Sequence, residues 1–197
     1  MAENTVSNEN KTLAKYITKI AGINPSVHRY WDESNEHFID IFTCTDPEDS
    51  RLRYYGTVGL SDYSNRIAMK DGNEKNIPVE LLIAGYKKYA QVPAILSTCA
   101  FYVLKDKWNC QPGDVFKHMV DFYYKKRMQH TLFTEPFFWG NEPQPLELDT
   151  KTVHWLLAVP ISESELQYKL SNGSDALEDL FEQKGVDIFN LDRKPVL

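Results

Sequence analysis

Hydrophobic residues change their spacing along the chain, and this change predicts where helices and strands lie. Apolar side chains recur at the spacing of one helix face in two stretches, residues 13–21 and residues 93–103, the second beginning at a proline. Runs rich in aromatic and β-branched residues are typical of strands, and they occupy residues 37–44, 54–60, 78–83 and 153–159.

Capping residues place the remaining boundaries. Ser162 and Glu165 have the spacing of a capping box that opens a helix, and Ser174 caps another helix that ends before Gly185. Pro160 is expected to end the last strand. Residues 115–123 predict a third apolar helix face, although their first residues also fit a strand.

This order of elements predicts the fold class. Strands in the middle of the chain with helices around them indicate an α/β or α+β fold, with a mixed central sheet flanked by helices. We expect residues 1–197 to form one domain, with residues 1–8 frayed. Residues 133–149, which hold three prolines and four acids but no base, are expected to form a long ordered loop, and loops of that length are often functional.

Charge and cysteine content narrow the classes of function. The net charge of −6 disfavours non-specific binding to nucleic acid, which requires basic residues to neutralise phosphates. Residues 32–49 hold seven acids and no lysine or arginine, which predicts either a surface for a basic partner or a plain solvated face. Three widely spaced cysteines, a polar N-terminus and the absence of a long apolar run predict a cytoplasmic protein with reduced thiols, outside the membrane.

Motifs for catalysis are missing from the sequence. It has no phosphate-binding loop, dinucleotide-binding glycines or nucleophile elbow, and its five histidines lack metal-ligand spacing. We therefore expect a protein without enzymatic activity, metal or cofactor. A Cys110 nucleophile with His130 or His118 as base is the weaker alternative, and His154, in an apolar strand, is expected to be a hydrogen-bonded core residue.

Aromatic and acidic residues that stand together are the candidates for partner binding, since aromatic side chains that also form hydrogen bonds are enriched at interfaces. Glu80, between Val79 and Leu81, is expected to face solvent, or alternatively to line a groove that receives a donor from a partner. The predicted partner-binding residues are Trp31, Asp32, Asp62, Tyr63, Glu80, Glu135 and Trp139.

Several segments together resemble the suppressor-of-fused (SUFU) domain. Residues 55–63 (YGTVGLSDY) resemble its strand and turn with the GLSD motif, and residues 78–82 (PVELL) resemble the strand that follows. Residues 129–136 (QHTLFTEP) are similar to another segment of the family, and residues 153–181 look like its closing strand and two helices. The matches occur in the family's order from about residue 27 to residue 192.

The resemblance implies a fold and a class of function. The fold is a mixed sheet flanked by helices, and the animal member sequesters a transcription factor by capturing an extended peptide. Short bacterial members look like immunity proteins, or antitoxins, that neutralise LXG-type polymorphic toxins, often nucleases. The resemblance therefore implies a toxin protein, often a basic nuclease domain, as the partner. The alternative is a non-catalytic regulatory scaffold that adds a partner's strand to its sheet.

Overall fold

A computed structural model describes residues 6–197 of the chain. Within these residues the helices are α1 (Asn8–Ala21), α2 (Val92–Leu104), α3 (Glu163–Asn172) and α4 (Ser174–Gln183). The strands are β1 (Ile23–Trp31), β2 (Phe38–Thr45), β3 (Leu52–Val58), β4 (Arg66–Ala68), β5 (Glu74–Asn76), β6 (Val79–Tyr86), β7 (Val115–Phe116), β8 (Met128–Thr134), β9 (Leu146–Glu147) and β10 (Thr152–Ser162). None of these helices is both long and apolar enough to cross a lipid bilayer.

The strands form one large mixed sheet, as the sequence predicted. Its order is β1-β2-β3-β6-β10-β8-β7, with β9 added to β10, while β4 and β5 form a separate hairpin. Strands β6 and β10 run parallel at the centre, and every other described pair is antiparallel. The α/β class with a mixed sheet flanked by helices is therefore confirmed.

Each face of the sheet carries its own hydrophobic core. Helix α2 packs on one face, where Leu96 and Val103 meet strand residues such as Leu81. Helices α1 and α4 belong to the core on the other face, which includes Leu82. Because the central strands are covered on both faces, they read as mainly apolar runs. Gly56 lets the ring of Phe42 cross β3, since a Cβ atom there would lie 2.2 Å from that ring.

The first and last strands of the chain differ from the sequence prediction. Strand β1 was not predicted, because Asn24 and Pro25 signal a turn and its first six residues are exposed. Strand β10 continues through Pro160 to Ser162. A proline, which has no backbone N–H to donate, is accommodated there because the pairing with β6 ends at Ala158. The Pro160 carbonyl accepts a hydrogen bond from Arg193 Nη2, 3.1 Å away.

The predicted third helix at residues 115–123 is wrong, and the alternative, that this stretch begins as a strand, is confirmed. Only its first two residues are regular structure, and they form strand β7, paired with β8. The chain then turns at His118, whose φ of +63° lies in the left-handed region, and Phe122 is 61% exposed. Residues 133–149 are also less irregular than predicted, since they contain the end of β8 and the whole of β9.

The N-terminal helix is longer than its apolar stripe. Residues 1–8 were predicted to fray; residues 1–5 lie outside the described part of the chain, but Asn8 already belongs to α1. Ser7 caps the helix by accepting a hydrogen bond from the Asn10 amide. The capping box predicted for α3 is confirmed, with Ser162 and Glu165 bonding to each other's backbone amides.

Candidate partner-binding site

Three acidic connections leave the sheet at the same end. The strand register places the end of β1 beside the start of β2, and the start of β2 beside the end of β3. The end of β3 lies beside the start of β6, the start of β10 beside that of β6, and the end of β8 beside β10. Residues 32–37, 59–78 and 135–151 therefore share one end of the sheet, which we call the acidic end. These segments hold ten acidic and four basic side chains.

The opposite end of the sheet is close to neutral. Residues 46–51, 87–91 and 117–127 connect the strands and α2 there and hold seven basic and four acidic side chains. Asp187 and Asp192 lie at the same end, and Asp192 pairs with Lys88 and Lys126. The molecule is therefore electrically polarised along its strands, although its net charge alone does not show this. A field of this kind steers a basic partner toward the acidic end.

Glu80 is buried under the acidic end, with none of its surface exposed. Its carboxylate accepts hydrogen bonds from the Thr57 hydroxyl at 2.6 Å and from the backbone amides of residues 59, 60 and 61 at 2.9, 3.2 and 3.0 Å. Burial raises the pKa of Glu80, and these hydrogen bonds oppose the rise. The expectation that Glu80 faces solvent is wrong, because the turn at residues 59–61 folds over the carboxylate and prevents contact with a partner.

Asp32 is also enclosed, with 7% of its surface exposed. It accepts hydrogen bonds from the amides of Glu36 and His37 and from the Ser34 hydroxyl, and its carboxylate lies 2.7 Å from Lys105 Nζ. The Lys105 ammonium holds the pKa of Asp32 well below its ordinary value. Asp32 therefore closes the turn between β1 and β2 and ties it to the end of α2.

This pairing predicts a pH dependence of stability. Because the pKa of Asp32 is lower in the folded chain than in the unfolded chain, its contribution is present above the unfolded pKa of about 3.9 and disappears as the pH falls. We expect Asp32→Asn to lower the melting temperature at pH 7, and the difference from the unmodified chain to shrink below about pH 4. Calorimetric melts across this range test it, and a constant difference down to pH 3 contradicts the assignment.

Three of the predicted site residues are accessible at the acidic end. Trp31 is 45% exposed and packs against Phe38, with ring centroids 5.1 Å apart. The Asp62 side chain is 46% exposed and pairs with Lys151, and Glu135 is exposed. These three residues can meet a partner directly.

The other two aromatic candidates are partly buried. Tyr63 packs against the core on the α2 side of the sheet. Trp139 folds back onto the opposite face, where it meets Tyr54 edge-on with ring centroids 4.9 Å apart. The structure thus brings most of the candidates to one end of the molecule, but it directs the Trp139 ring away from that end onto Tyr54 and does not join the candidates into one continuous patch.

A cleft of about 510 Å³ separates the β4–β5 hairpin from residues 135–145. Its inner wall is held by Asn65, which sequence reasoning missed and which is 1% exposed. Asn65 Nδ2 donates to the carbonyls of Ile77 and Cys110, and its Oδ1 accepts from the Cys110 amide at 2.8 Å. His154 lines the same cleft and is exposed, so the expectation that it belongs to the core is wrong.

Of the residues considered for nucleophilic catalysis, Cys110 and His130 are buried, whereas His118 is exposed. Cys110 and His130 have no exposed surface, and burial raises the pKa of the Cys110 thiol far above its ordinary value. His130 Nδ1 accepts from the His118 amide at 3.0 Å, so Nε2 carries the proton and faces Glu163 at 2.8 Å. Among residues 6–197, no three histidine, cysteine or acidic side chains are grouped to hold a metal ion.

Comparison with known proteins identifies the family. The model of the suppressor of fused protein (SUFU) family matches residues 35–194. The chain is 36% identical over 193 residues to a protein of Bacillus subtilis (strain 168) named immunity protein YqcF, covering 98% of this chain and 99% of the relative.

Solved structures share the fold. A SUFU homologue from Neisseria gonorrhoeae FA 1090 has a TM-score of 0.74 at 14% identity, covering 95% of this chain and 96% of that one. The Sufu–Fu complex has a TM-score of 0.64 at 15% identity, covering 94% and 91%. Drosophila Suppressor of Fused has a TM-score of 0.54 at 15% identity, and the match covers 93% of this chain but only 45% of that protein. On the match of the family model and of the Bacillus relative, this chain belongs to the suppressor of fused protein (SUFU) family.

Proposed function

We propose that this chain is an immunity protein that binds a cognate toxin and neutralises it in the cytoplasm of the cell that makes both. The observation that carries the proposal is the 36% identity to a Bacillus subtilis immunity protein along nearly the whole length of both chains. Because the similarity leaves no large segment of either protein unmatched, a shared function needs no additional domain.

The charge distribution supports a basic toxin, and a nuclease is the class that fits best. A nuclease domain binds the phosphates of its substrate through lysine and arginine side chains. The acidic end presents carboxylates such as Glu135 and Glu33 on three neighbouring connections. These carboxylates occupy the place of phosphates, so that the bound immunity protein excludes nucleic acid from the toxin's substrate groove.

Co-expression tests the proposal. The toxin candidate encoded beside the gene of this chain is induced in a host that lacks any related immunity protein, with and without this chain. We expect growth to stop with the toxin alone and to recover when the chain is co-expressed. Failure to protect, with the chain present at normal levels in the cell, contradicts the proposal; a toxin made inactive at its own catalytic site serves as the growth control.

Strand addition is the second candidate mode of binding, and the edge of the sheet favours it. Within residues 6–197, strand β1 pairs only with β2, and it exposes Ile23 and Val27 by nearly half of their surfaces. A partner's extended segment can pair with the free edge of such a strand. Hydrogen exchange distinguishes the two modes: new protection of β1 amides in the complex supports strand addition, whereas protection confined to the acidic end supports the first mode.

A further inference from the structure

Helix α2 contains no charged residue. Its sequence, VPAILSTCAFYVL, has nine buried members that pack mainly on the sheet. The remaining four, Ala94, Thr98, Phe101 and Tyr102, are only partly buried and follow one another along the outer side of the helix. A helix that is apolar around its whole circumference is normally covered on every side. The outer stripe of α2 therefore has the composition of a surface that receives a partner.

This stripe is the floor of a groove of about 580 Å³. Tyr30 and Trp31, at the end of β1, form one wall, and Phe122 and Tyr123 form the other. Trp31 is 45%, Phe122 61% and Tyr123 36% exposed. Exposed aromatic side chains grouped around a groove are typical of protein interfaces, where they contribute most of the binding energy.

The charge at one end of the groove is negative. Lys105 is already paired with Asp32, as described above, so it offers little positive charge to a partner. Glu33 and Asp106 line the same end, and neither forms an ion pair with any residue in the described part of the chain. The negative C-terminal end of the α2 dipole points in the same direction.

From these observations we infer that the groove along α2 receives a basic, partly apolar segment of the toxin, an inference that rests on the proposed function. The apolar side chains of the segment cover the stripe of α2. A lysine or arginine stem lies along Trp31, with its cationic head at Glu33 and Asp106. The groove thus adds an apolar anchor to the electrostatic attraction of the acidic end.

A pair of synthetic peptides tests the groove without the toxin. Each has about 14 residues, enough as a helix to span α2, with leucine at the spacing of one helix face. The other positions are arginine in one peptide and glutamate in the other. We expect the arginine peptide to bind the full chain with a dissociation constant of tens of micromolar, measured by fluorescence anisotropy, and to change the tryptophan emission of the chain. The glutamate peptide should bind at least about tenfold more weakly.

Variants at two groove residues sharpen the test. Trp31→Ala should weaken binding of the arginine peptide by about 30-fold, the size expected for a central aromatic anchor. Phe122→Lys should weaken binding of the arginine peptide by about tenfold. Phe122→Glu loses the same ring but adds a negative charge, so its affinity should stay within about threefold of that of the unmodified chain. Leu170→Ala, at a residue of α3 that is 59% exposed, is the control outside the groove.

The outcomes separate this inference from the proposed function. Equal binding of the two peptides, or equal affinity of the Phe122→Lys and Phe122→Glu variants, overturns the groove assignment. If the Trp31→Ala and Phe122→Lys variants protect cells fully from a toxin that the unmodified chain neutralises, the function stands and the groove assignment fails. If the unmodified chain does not protect while the peptide results are as expected, the groove stands as a site for basic segments and the immunity proposal fails.

Discussion

Replacing Glu80 with alanine is expected to lower the free energy of unfolding by about 3–5 kcal/mol, the largest effect of any single substitution discussed for this chain. The change leaves the Thr57 hydroxyl and three consecutive backbone amides buried without an acceptor. It also opens a cavity in the turn that carries Asp62. Because this turn belongs to the acidic end, partner binding should weaken together with stability.

Two further variants define the Glu80 result. Glu80→Gln keeps the volume and one acceptor oxygen but turns an amide donor toward the backbone amides, so we expect an intermediate loss of about 2 kcal/mol. Glu74→Ala, whose side chain is 62% exposed in β5, should change stability by less than about 0.5 kcal/mol. Urea unfolding followed by tryptophan fluorescence measures all three, and a loss below about 1 kcal/mol for Glu80→Ala contradicts the structural role.

The elements with strong local signals were predictable from the sequence. The apolar spacing of α1 and α2, the aromatic and β-branched runs of the central strands and the capping box of α3 each depend on residues close together in the chain. Strand β1 lacks such a signal, because an exposed edge strand has no buried face to impose alternation. Residues 115–123 carry buried side chains at helical spacing, but pairing of Val115 with Leu132 draws the segment into the sheet instead.

The site was harder to predict because identical side chains have different surroundings. In sequence, Asp32, Glu80 and Glu135 all stand beside aromatic or apolar residues. The structure buries the first two, since Lys105 reaches Asp32 from α2 and the turn at residues 59–61 closes over Glu80. Only Glu135 stays exposed. Such partners are distant in sequence, so the pattern of residues identifies acidic segments but not which acid a partner can reach.

The groove along α2 has a signal in the sequence that the spacing of apolar residues does not show. That spacing predicts a single apolar face in residues 93–103. The absence of any charge between residues 92 and 104 is visible in the sequence and indicates that the other side is apolar too. A helix without charged residues that packs on a sheet therefore indicates a contact surface on its outer side as well as on the side that faces the sheet.

Reversing three charges at the acidic end is expected to weaken toxin binding at least about 100-fold. Glu33→Lys, Glu135→Lys and Asp149→Lys are combined in one variant, one from residues 32–37 and two from residues 135–151. All three side chains are exposed and none forms an ion pair within residues 6–197, so the fold should tolerate the change. The effect should diminish in high salt, because exposed charges are screened.

A matched variant carries the same change of charge elsewhere. Glu48→Lys, Asp179→Lys and Glu182→Lys alter exposed acids outside the acidic end, one in the connection after β2 and two on α4. Both triple variants have the same net charge, so a general effect of charge on encounter affects them equally. A melting temperature equal to that of the unmodified chain shows that a triple variant has kept its fold.

The account is tested most directly by the dissociation constant of the isolated toxin domain for these two triple variants, measured by calorimetry at one ionic strength. We predict that the variant at the acidic end loses at least about 100-fold in affinity, while the matched variant stays within about fivefold of the unmodified chain. Equal affinities for both variants, or tight binding retained after reversal of the acidic end, contradict the claim that this end of the sheet holds the toxin.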